Sequence, residues 1–549
     1  MPRPLRLLLL LMTAACLRGD AAREPAGEAA VPEARRYGGT AVVGATADVD
    51  DISPLTWSTQ TAQYLQSYVL FTPLVRYDQR LRPQPYGAES WEVNADTTLL
   101  TFHLRRDLRW HDGVPTTARD WKFSYDLARD PKTAFINSAF WTFYGAAEAP
   151  DSFTFRVKMR PHAEFLDPWR TFAAVPEHVL RGVAPEALRT HPFGSRTPLG
   201  NGPFRFVSRV PGQSWTFAAN LDFPAELGGR PYLDRLVYRV VPEPTTLLTE
   251  LETGGIDFYM GVPAEQAAAV KASRNARLVD YLDRWVEHIV WNERRPLFAD
   301  ARVRRALTLA IDRQALVAAV RRGYAEVANS TVPPMFWQHD PQAGADLAPD
   351  PARAERLLAE AGWSDYDGDG ILDDGEGTPF RFTLSVPQGN AERRDIAEIV
   401  QADLRRIGVD AQPRIVELNT LMARASDPEK RDFDALIVGW IPEFRLDDSD
   451  LFSCAKRDNP LTWAGYCDAR TERLLDTLPR IAERAAALPL WRRYQERIAE
   501  QQPFTLLYYP RRLEGVANRL RDVYPDARGD LVGVERWWLE PGSRRGGGG

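Results

Sequence analysis

The amino-acid sequence predicts an α/β protein built from two or three lobes. Its 549 residues exceed the roughly 250–300 residues at which a single hydrophobic core stops growing, so several cores are expected. Predicted strands and helices alternate along the chain, which favours layered sheets covered by helices over a β-sandwich or a helix bundle. The sequence shows no internal repeat and, after its first residues, no apolar segment long enough to cross a membrane.

The N-terminal half contains short elements with clear patterns. Residues 40–44 form an apolar run typical of a buried strand, and residues 61–71 carry apolar side chains at helical spacing. Residues 99–104 alternate as a strand does. The two threonines at 116–117 precede a predicted helix over 118–130, because a hydroxyl there can cap the free amide groups of the first turn.

The C-terminal half carries longer helical patterns. A helical stretch is predicted over 300–322, and further helices over 352–361 and 396–407, each followed by a glycine that can end it. Strands are predicted over 380–386 and 409–416. The apolar face of the first helical stretch consists of Val303, Ala306, Leu307, Ala310 and Ile311.

The first sixteen residues have the features of an export signal. Basic Arg3 and Arg6 precede an apolar run that is too short to span a bilayer in a mature protein. Small residues then lead to Cys16, as in a lipoprotein cleavage box, although leucine is usual where Thr13 stands. We therefore expect lipidation of Cys16 and an extracytoplasmic location, in the periplasm or on the outer face of the cell membrane; an ordinary secretory signal is the alternative. Residues 17–36 are predicted to be a flexible tether and 541–549 a disordered tail.

Two cysteines remain if Cys16 carries a lipid. Cys454 and Cys467 are close in sequence, and an even pair in an exported protein predicts a disulfide. Two free buried thiols are the alternative.

Composition excludes some functions and favours others. The net charge of -6 argues against a nucleic-acid-binding protein, which needs a basic face. Sixteen Trp, 18 Tyr and 24 Phe suit an aromatic ligand cleft, although most are expected in the core. No metalloprotease, nucleophile-elbow or phosphate-loop motif is present, so nothing in the sequence indicates an enzyme.

Motifs in a fixed order cover nearly the whole mature chain. They are LVRY at 74–77 with AESWE at 88–92; FHLRR at 102–106, RWHDGVP at 109–115 and ARDW at 118–121; GNGPF at 200–204; GRPYLD at 229–234 with LETGGID at 251–257; Asn292 with DARVRRAL at 300–307 and AIDR at 310–313; LLAEAGW at 357–363; and FDA at 433–435 with Gly439 and Trp440. In this order the motifs closely resemble family 5 of the bacterial extracellular solute-binding proteins, the peptide- and nickel-binding group.

This resemblance implies a two-lobed periplasmic-binding-protein fold of type II, similar to cluster C, with an extra inserted lobe and a hinge. Ligand would be captured between the lobes by hinge closure and delivered to the permease subunits of an ABC importer. The protein would be a monomer without enzymatic activity. The implied ranges are 37–58, 198–291 and 504–540 for the first main lobe, 59–197 for the inserted lobe, and 292–503 for the second, with hinge crossings near 291–292 and 502–503.

The resemblance also indicates a ligand site. Peptide-binding relatives place an acidic residue three positions after the tryptophan that matches Trp440, where it pairs with the α-ammonium of the ligand. Glu443 holds that position here, with Pro442 and Phe444 departing from the usual neighbours. We therefore expect Trp440, Glu443, Phe444 and Asp447 to contact an oligopeptide or dipeptide. A solvated loop carboxylate is the alternative for Glu443.

A second motif has the spacing of a calcium-binding EF-hand loop. The segment DYDGDGILDDGE at 365–376 places oxygen ligands at the required positions, with Gly370 at the sharp turn. The predicted ligands are Asp365, Asp367, Asp369, the carbonyl of Ile371, Asp373 and Glu376. A structural Ca²⁺ is expected here, with a surface turn as the alternative; no other cofactor is expected.

Other functions are compatible with the same fold. The altered neighbours of Glu443 leave open an oligosaccharide, an amine or a metal chelate as the ligand. A ligand sensor that reports to a membrane kinase and a secreted hydrolase that uses cleft carboxylates are further alternatives.

Overall fold

The computed structural model describes residues 31–544. The strands in this part of the chain are β1 (Thr40–Ala45), β2 (Val75–Tyr77), β3 (Pro83–Pro85), β4 (Ala88–Val93), β5 (Leu99–Leu104), β6 (Tyr144–Asp151), β7 (Thr154–Met159), β8 (Phe204–Val210), β9 (Ser214–Ala219), β10 (Arg235–Val240), β11 (Phe258–Tyr259), β12 (Ala276–Leu282), β13 (Val286–Trp291), β14 (Ala325–Val327), β15 (Arg381–Pro387), β16 (Asp410–Val416), β17 (Ala435–Trp440), β18 (Phe504–Ala517), β19 (Leu520–Arg521) and β20 (Trp538–Leu539).

The α-helices of the same residues alternate with these strands, as predicted. They are α1 (Gln60–Tyr64), α2 (Ala118–Arg129), α3 (Pro168–Thr171), α4 (Glu177–Leu180), α5 (Pro244–Thr253), α6 (Ala267–Ala272), α7 (Pro296–Ala299), α8 (Ala301–Ala310), α9 (Arg313–Arg321), α10 (Pro351–Glu360), α11 (Ala391–Arg405), α12 (Leu418–Ser426), α13 (Ser449–Phe452), α14 (Ala469–Thr477) and α15 (Arg484–Gln501). No helix among residues 31–544 is both long and apolar enough to span a bilayer.

The main sheet connects the two lobes through one long strand. Its path runs β16-β15-β17-β13-β18-β11-β1-β10-β9-β8, and β12 and β14 also pair with β18. The first residues of β18 pair with β13, and its last residues pair with β12. A separate sheet, β4-β5-β7-β6, belongs to the inserted segment.

This pairing moves the predicted hinge crossings. Trp291 pairs with Ala435 of the second lobe, so β13 belongs to that lobe and the first crossing lies at 283–285. Phe504 pairs with Val290, while Arg511 pairs with Leu282, so the second crossing lies at about 509–511. The crossings predicted at 291–292 and 502–503 are therefore wrong by part of a strand. A buried strand has the same apolar sequence pattern whichever sheet it joins, so the sequence pattern could not locate the two hinge crossings.

Several local predictions are confirmed and two need correction. The threonine cap of α2 is a capping box in which Thr117 and Asp120 satisfy each other's backbone amide groups. The helix predicted over 61–71 continues from α1 as a π-helical segment over Leu65–Leu70. The single helical stretch predicted over 300–322 is instead α8 and α9, because Asp312 leaves helical geometry to cap α9 through its side chain.

The predicted tether and tail both extend into the described residues. Residues 33–35 form a short 3-10 helix, and the Arg36 guanidinium lies over the Tyr232 and Trp538 rings. Arg544 donates a hydrogen bond to the Arg35 carbonyl. The ends of these two segments are therefore attached to the first lobe by cation–π and hydrogen-bonding contacts. The signal sequence, Cys16, and residues 17–30 and 545–549 of the two segments lie outside the described residues.

Candidate ligand-binding site

The end of β17 places the predicted ligand residues beside the hinge. Trp440 pairs with Val286 of β13, the strand that follows the first crossing. Gly439 lies under Trp285, and an added Cβ would be 2.0 Å from the indole ring. A larger residue at 439 would displace this tryptophan, so the glycine allows the chain to pass directly beneath the hinge.

Phe444 forms the contact between the lobes rather than an open cleft wall. It is buried, and its ring centroid lies 5.6 Å from that of Tyr77 in an edge-to-face arrangement. The guanidinium carbons of Arg170 and Arg284 each lie 4.2 Å from the same ring centroid. Tyr77 and Arg170 belong to the inserted segment, so this cluster joins the inserted lobe, the hinge and the second lobe.

The Glu443 side chain is accessible to solvent but is surrounded by protein. Desolvation by its surroundings raises its pKa, while the charge of Arg284, and more weakly those of Arg170 and Arg445, oppose that rise. Within residues 31–544 the carboxylate accepts no hydrogen bond and forms no ion pair. We use the name seam for Tyr77, Arg170, Arg284, Glu443 and Phe444.

The other two predicted ligand residues have partners within the protein. Trp440 is half-buried and packs against the apolar core of the second lobe. Asp447 lies 3.3 Å from an Arg445 nitrogen and accepts a hydrogen bond from the Ser449 amide at 3.1 Å. These contacts fix the loop that carries Glu443, and they leave Asp447 less available to a ligand than Glu443.

Asp448, next in the chain, is buried and gives the loop a pH-dependent stability. Tyr494 and Thr331 donate hydrogen bonds to it at 2.5 and 2.8 Å. Burial nevertheless raises its pKa from 3.8 to about 6. The folded protein therefore holds this proton more tightly than the unfolded chain, so the stabilisation is present at low pH and is lost as the pH rises through 6.

We expect Asp448→Asn to remove this dependence, because asparagine stays neutral. Between pH 4.5 and pH 8 the free energy of unfolding of the wild type should fall by about 2 kcal/mol relative to the variant. Urea unfolding of both proteins at each pH measures this difference. Parallel pH profiles for the two proteins would contradict it.

Side-chain and backbone hydrogen bonds join the inserted segment to the second lobe. Glu164 of the inserted segment accepts hydrogen bonds from Arg484 at 2.9 and 3.0 Å and from the Trp337 indole at 3.1 Å. The Ala163 amide donates to the Pro479 carbonyl at 2.7 Å. Polar groups on both sides are thus satisfied across this interface, which stabilises the contact between the inserted segment and the second lobe.

Two cavities adjoin this region. One of about 770 Å³ lies between the β2–β3 hairpin and the C-terminal segment, and it is lined by residues that include Tyr77 and Arg170. The other, of about 430 Å³, lies at the hinge and includes Trp285 and Ile441. None of the four predicted ligand residues lines either cavity. The arginines that do were missed by sequence reasoning, although Arg76 and Tyr77 fall in a motif that it singled out.

The predicted disulfide is confirmed. Cys454 and Cys467 are bonded, with their Cα atoms 4.8 Å apart. The closed loop packs against the core through buried Trp463 and Tyr466. Glu472 accepts hydrogen bonds from Ser453 at 2.9 Å and from the Cys454 amide at 2.6 Å, so the disulfide joins two segments that also contact each other directly.

The acidic loop at 365–376 brings together part of its predicted ligand set. Carboxylate oxygens of Asp365, Asp367 and Asp373 lie within 4.8 Å of one another, and Gly370 has a φ of 83°, as the sharp turn requires. Asp369 and Glu376 are outside this group. Asp365 accepts hydrogen bonds from the amides of residues 368 and 370, which an ordinary surface turn would also form. The calcium site therefore stays a prediction.

A thermal titration tests the calcium site. If Ca²⁺ binds the folded loop, adding it to chelated protein at a hundred times Kd stabilises the fold by about 2.7 kcal/mol. The melting temperature should rise with Ca²⁺, and less with Mg²⁺, whose rigid octahedral geometry suits such a loop poorly. Asp365→Asn combined with Asp367→Asn should abolish the response. An unchanged melting temperature of the wild type on addition of Ca²⁺ would contradict the predicted calcium site.

Comparison with known proteins identifies the family. Residues 82–459 match the model of the bacterial extracellular solute-binding proteins, family 5, middle region. The oligopeptide-binding protein AppA of Bacillus subtilis is 31% identical over 507 residues, covering 92% of each chain. Its structure in complex with a nonapeptide has a TM-score of 0.76 at 30% identity, covering 92% of this chain and 99% of that one.

A solved structure with a different kind of ligand has the same fold. NikZ from Campylobacter jejuni in complex with Ni(L-His) has a TM-score of 0.75 at 22% identity, covering 91% of this chain and 99% of that one. The family match spans well over half of the chain, and the relative from Bacillus subtilis spans nearly all of it. The chain therefore belongs to family 5 of the bacterial extracellular solute-binding proteins.

Proposed function

We propose that this protein is the extracytoplasmic substrate-binding component of an ABC importer and that it captures oligopeptides with a free amino terminus. The observation that carries this proposal is Glu443. Its carboxylate is accessible to solvent but enclosed by protein, and it has no hydrogen-bonding partner within residues 31–544. A ligand ammonium would satisfy it with a charge-assisted hydrogen bond.

The position of Glu443 supports a link between binding and closure. Phe444, the next residue, contacts Tyr77 and Arg170 of the inserted segment. A peptide whose ammonium is held at Glu443 would therefore lie beside groups of both lobes and stabilise the closed form. That closed form is what permease subunits would recognise.

The comparisons favour peptide over the other ligand classes. AppA, the relative with 31% identity, is described as oligopeptide-binding, and its structure holds a nonapeptide. The Ni(L-His) complex of NikZ keeps a metal chelate as a second candidate. Within residues 31–544, however, the grouping of three side chains that could hold a metal lies on the acidic loop and not at the seam.

The remaining elements of the function follow from the sequence. We propose that Cys16 carries the lipid that holds the protein at the membrane, and that the protein acts as a monomer. A structural Ca²⁺ at residues 365–376 would stabilise the second lobe without taking part in capture.

Native mass spectrometry of protein purified without refolding tests the proposed function. We expect an unmodified peptide to be released on denaturation, and calorimetry to show tighter binding of free peptides than of N-acetylated ones. A co-purified sugar or metal chelate would contradict the peptide assignment. Turnover of a peptide or glycan panel would contradict a purely binding role.

A further inference from the structure

The cavity of about 770 Å³ has a strongly cationic lining. Six arginines and three carboxylates face it, although the whole protein carries a net charge of -6. Its volume falls in the range of about 300–1,000 Å³ that small-molecule sites occupy. In an acidic protein, such a local excess of positive charge indicates either that the arginines stabilise the structure or that they bind a ligand.

Structure accounts for three of the arginines. Arg82 donates to Asp78 at 2.9 Å, and Arg528 donates to Asp526 and to the Tyr77 carbonyl, the latter at 2.7 Å. The Arg170 guanidinium lies 3.3 Å from Asp167 and over the rings of the seam. These guanidinium groups hold the walls of the cavity in place and need no further partner.

The other three arginines have no close carboxylate or carbonyl partner among residues 31–544, although the Arg76 guanidinium carbon lies 4.8 Å from the centroid of the Tyr86 ring. Arg76 and Arg536 approach the buried Glu535 only to 4.0 and 3.9 Å, beyond hydrogen-bonding distance. Arg80 is exposed, and its side chain forms no hydrogen bond or ion pair with any of residues 31–544. Each guanidinium offers five N–H donors in a planar arrangement that matches a carboxylate or phosphate. We use the name anion compartment for the space that Arg76, Arg80 and Arg536 face.

The carboxylates of the cavity cannot neutralise this group. Asp78 is paired with Arg82, and Asp522 lies 3.7 Å from the Arg36 guanidinium and accepts the Trp538 indole N–H at 2.8 Å. Glu535 is a single charge between Arg76 and Arg536. The anion compartment therefore keeps a positive charge, and its solvent-accessible donors have no close acceptor among residues 31–544, which favours a ligand with anionic oxygens.

The anion compartment adjoins the seam. Tyr77 and Arg170 line the cavity and also contact Phe444, the residue after Glu443. An extended ligand held at Glu443 by its ammonium could pass Arg170 and place its later residues beside Arg76, Arg80 and Arg536. The seam would then bind the positively charged ammonium at one end of the ligand, and the cavity would bind negatively charged groups further along it.

We propose that the anion compartment selects peptides that carry acidic side chains downstream of their amino terminus. This inference rests on the proposed function, because it assumes that a peptide occupies the seam. An acidic peptide and a free polyanion both offer anionic oxygens to these arginines. The experiment therefore tests both kinds of ligand.

Calorimetry with alanine heptapeptides tests the selection. One series carries a Glu-Glu pair moved stepwise along the peptide, and the matched series carries Gln-Gln at the same positions. At one or more positions the wild type should bind the Glu-Glu peptide about tenfold tighter or more, because charge-assisted hydrogen bonds are the strong ones. This preference should weaken as salt is raised.

The variants Arg76→Gln, Arg80→Gln and Arg536→Gln, singly and combined, should lower the affinity for Glu-Glu peptides much more than the affinity for Gln-Gln peptides, and so reduce the preference. Arg356→Gln is the matched control, because Arg356 is exposed and does not line the cavity. Circular dichroism and the melting temperature establish that each variant is folded. Equal affinity for both series in the wild type, or an undiminished preference in the triple variant, would overturn the proposal.

Inorganic tripolyphosphate separates the two sources of anion. Binding of tripolyphosphate without any preference for Glu-Glu peptides would assign the compartment to a free anion and overturn selection of acidic peptides. If no peptide binds at all, the proposed function fails. In that case tripolyphosphate binding that is lost in the triple variant still supports an anion compartment, and no such binding overturns it.

Discussion

Replacing Glu443 with glutamine is expected to weaken binding of free-amino peptides by roughly tenfold to a hundredfold, since a hydrogen bond to a charged group contributes about 1.5–3 kcal/mol. Glutamine keeps the size of the side chain and removes its charge. Because no group among residues 31–544 pairs with this carboxylate, the loss should appear in ligand binding rather than in stability. Calorimetry with one peptide in free and N-acetylated form measures the effect.

The acetylated peptide supplies the decisive comparison. Acetylation removes the ammonium, so its affinity should be the same for the wild type and for Glu443→Gln. The pKa of Glu443 is raised, so the wild type should also lose affinity for the free peptide on acidification through that pKa, and the variant should not. Glu429→Gln, at an exposed carboxylate of the same lobe, controls for a general change of charge. Equal losses for free and acetylated peptide would rule out the ammonium role.

Much of the fold could be predicted because local sequence patterns indicate the helices and strands and the order of the motifs indicates the family. The capping box of α2 and the glycines that end α10 and α11 depend on neighbouring residues only, so short windows of sequence reveal them. The hinge could not be placed in the same way. Whether β13 joins the first or the second lobe depends on its partners β17 and β18, and these lie more than a hundred residues away.

In the candidate site, too, features that depend on nearby residues could be predicted, and contacts between distant segments could not. Glu443 is singled out because the resemblance places an acidic residue three positions after Trp440, and the disulfide is predicted from an even pair of cysteines that follows a predicted export signal. The partners of Phe444 did not follow, because Tyr77, Arg170 and Arg284 come from three distant segments. The anion compartment is likewise a juxtaposition of the β2–β3 hairpin with residue 536, and sequence spacing carries no sign of it.

These distant contacts fix the loop after β17 and so suit it to the ligand-binding role proposed for Glu443. The Phe444 ring contacts two guanidinium groups, Asp447 contacts Arg445 and Asp448 accepts hydrogen bonds from two hydroxyl groups. Glu443 directly precedes these fixed points and has no hydrogen-bonding or ion-pair partner among residues 31–544. Its neighbours hold the backbone in place, so a ligand that pairs with it pays little to order the loop.

Removal of the disulfide tests how far this order depends on covalent closure. The bond closes a loop with a sequence separation of 13, for which chain entropy predicts a loss of about 3 kcal/mol. We expect the double variant Cys454→Ser, Cys467→Ser to lose that amount from the free energy of unfolding, measured with urea. Trp463 and Tyr466 of the loop are buried in the core of the second lobe, so the loss should arise when that lobe unfolds.

Reduction of the wild type provides a matched control, because it opens the same loop without changing side chains elsewhere. Wild type treated with dithiothreitol should unfold at the urea concentration of the double variant, and the variant should not respond to dithiothreitol. Glu472 still links Ser453 and the residue 454 amide in the open loop, so the folded structure and peptide affinity should persist at low urea. A wild type whose stability is unchanged by reduction would contradict the prediction. A variant that is folded but no longer binds peptide would show that the disulfide positions Glu443 directly.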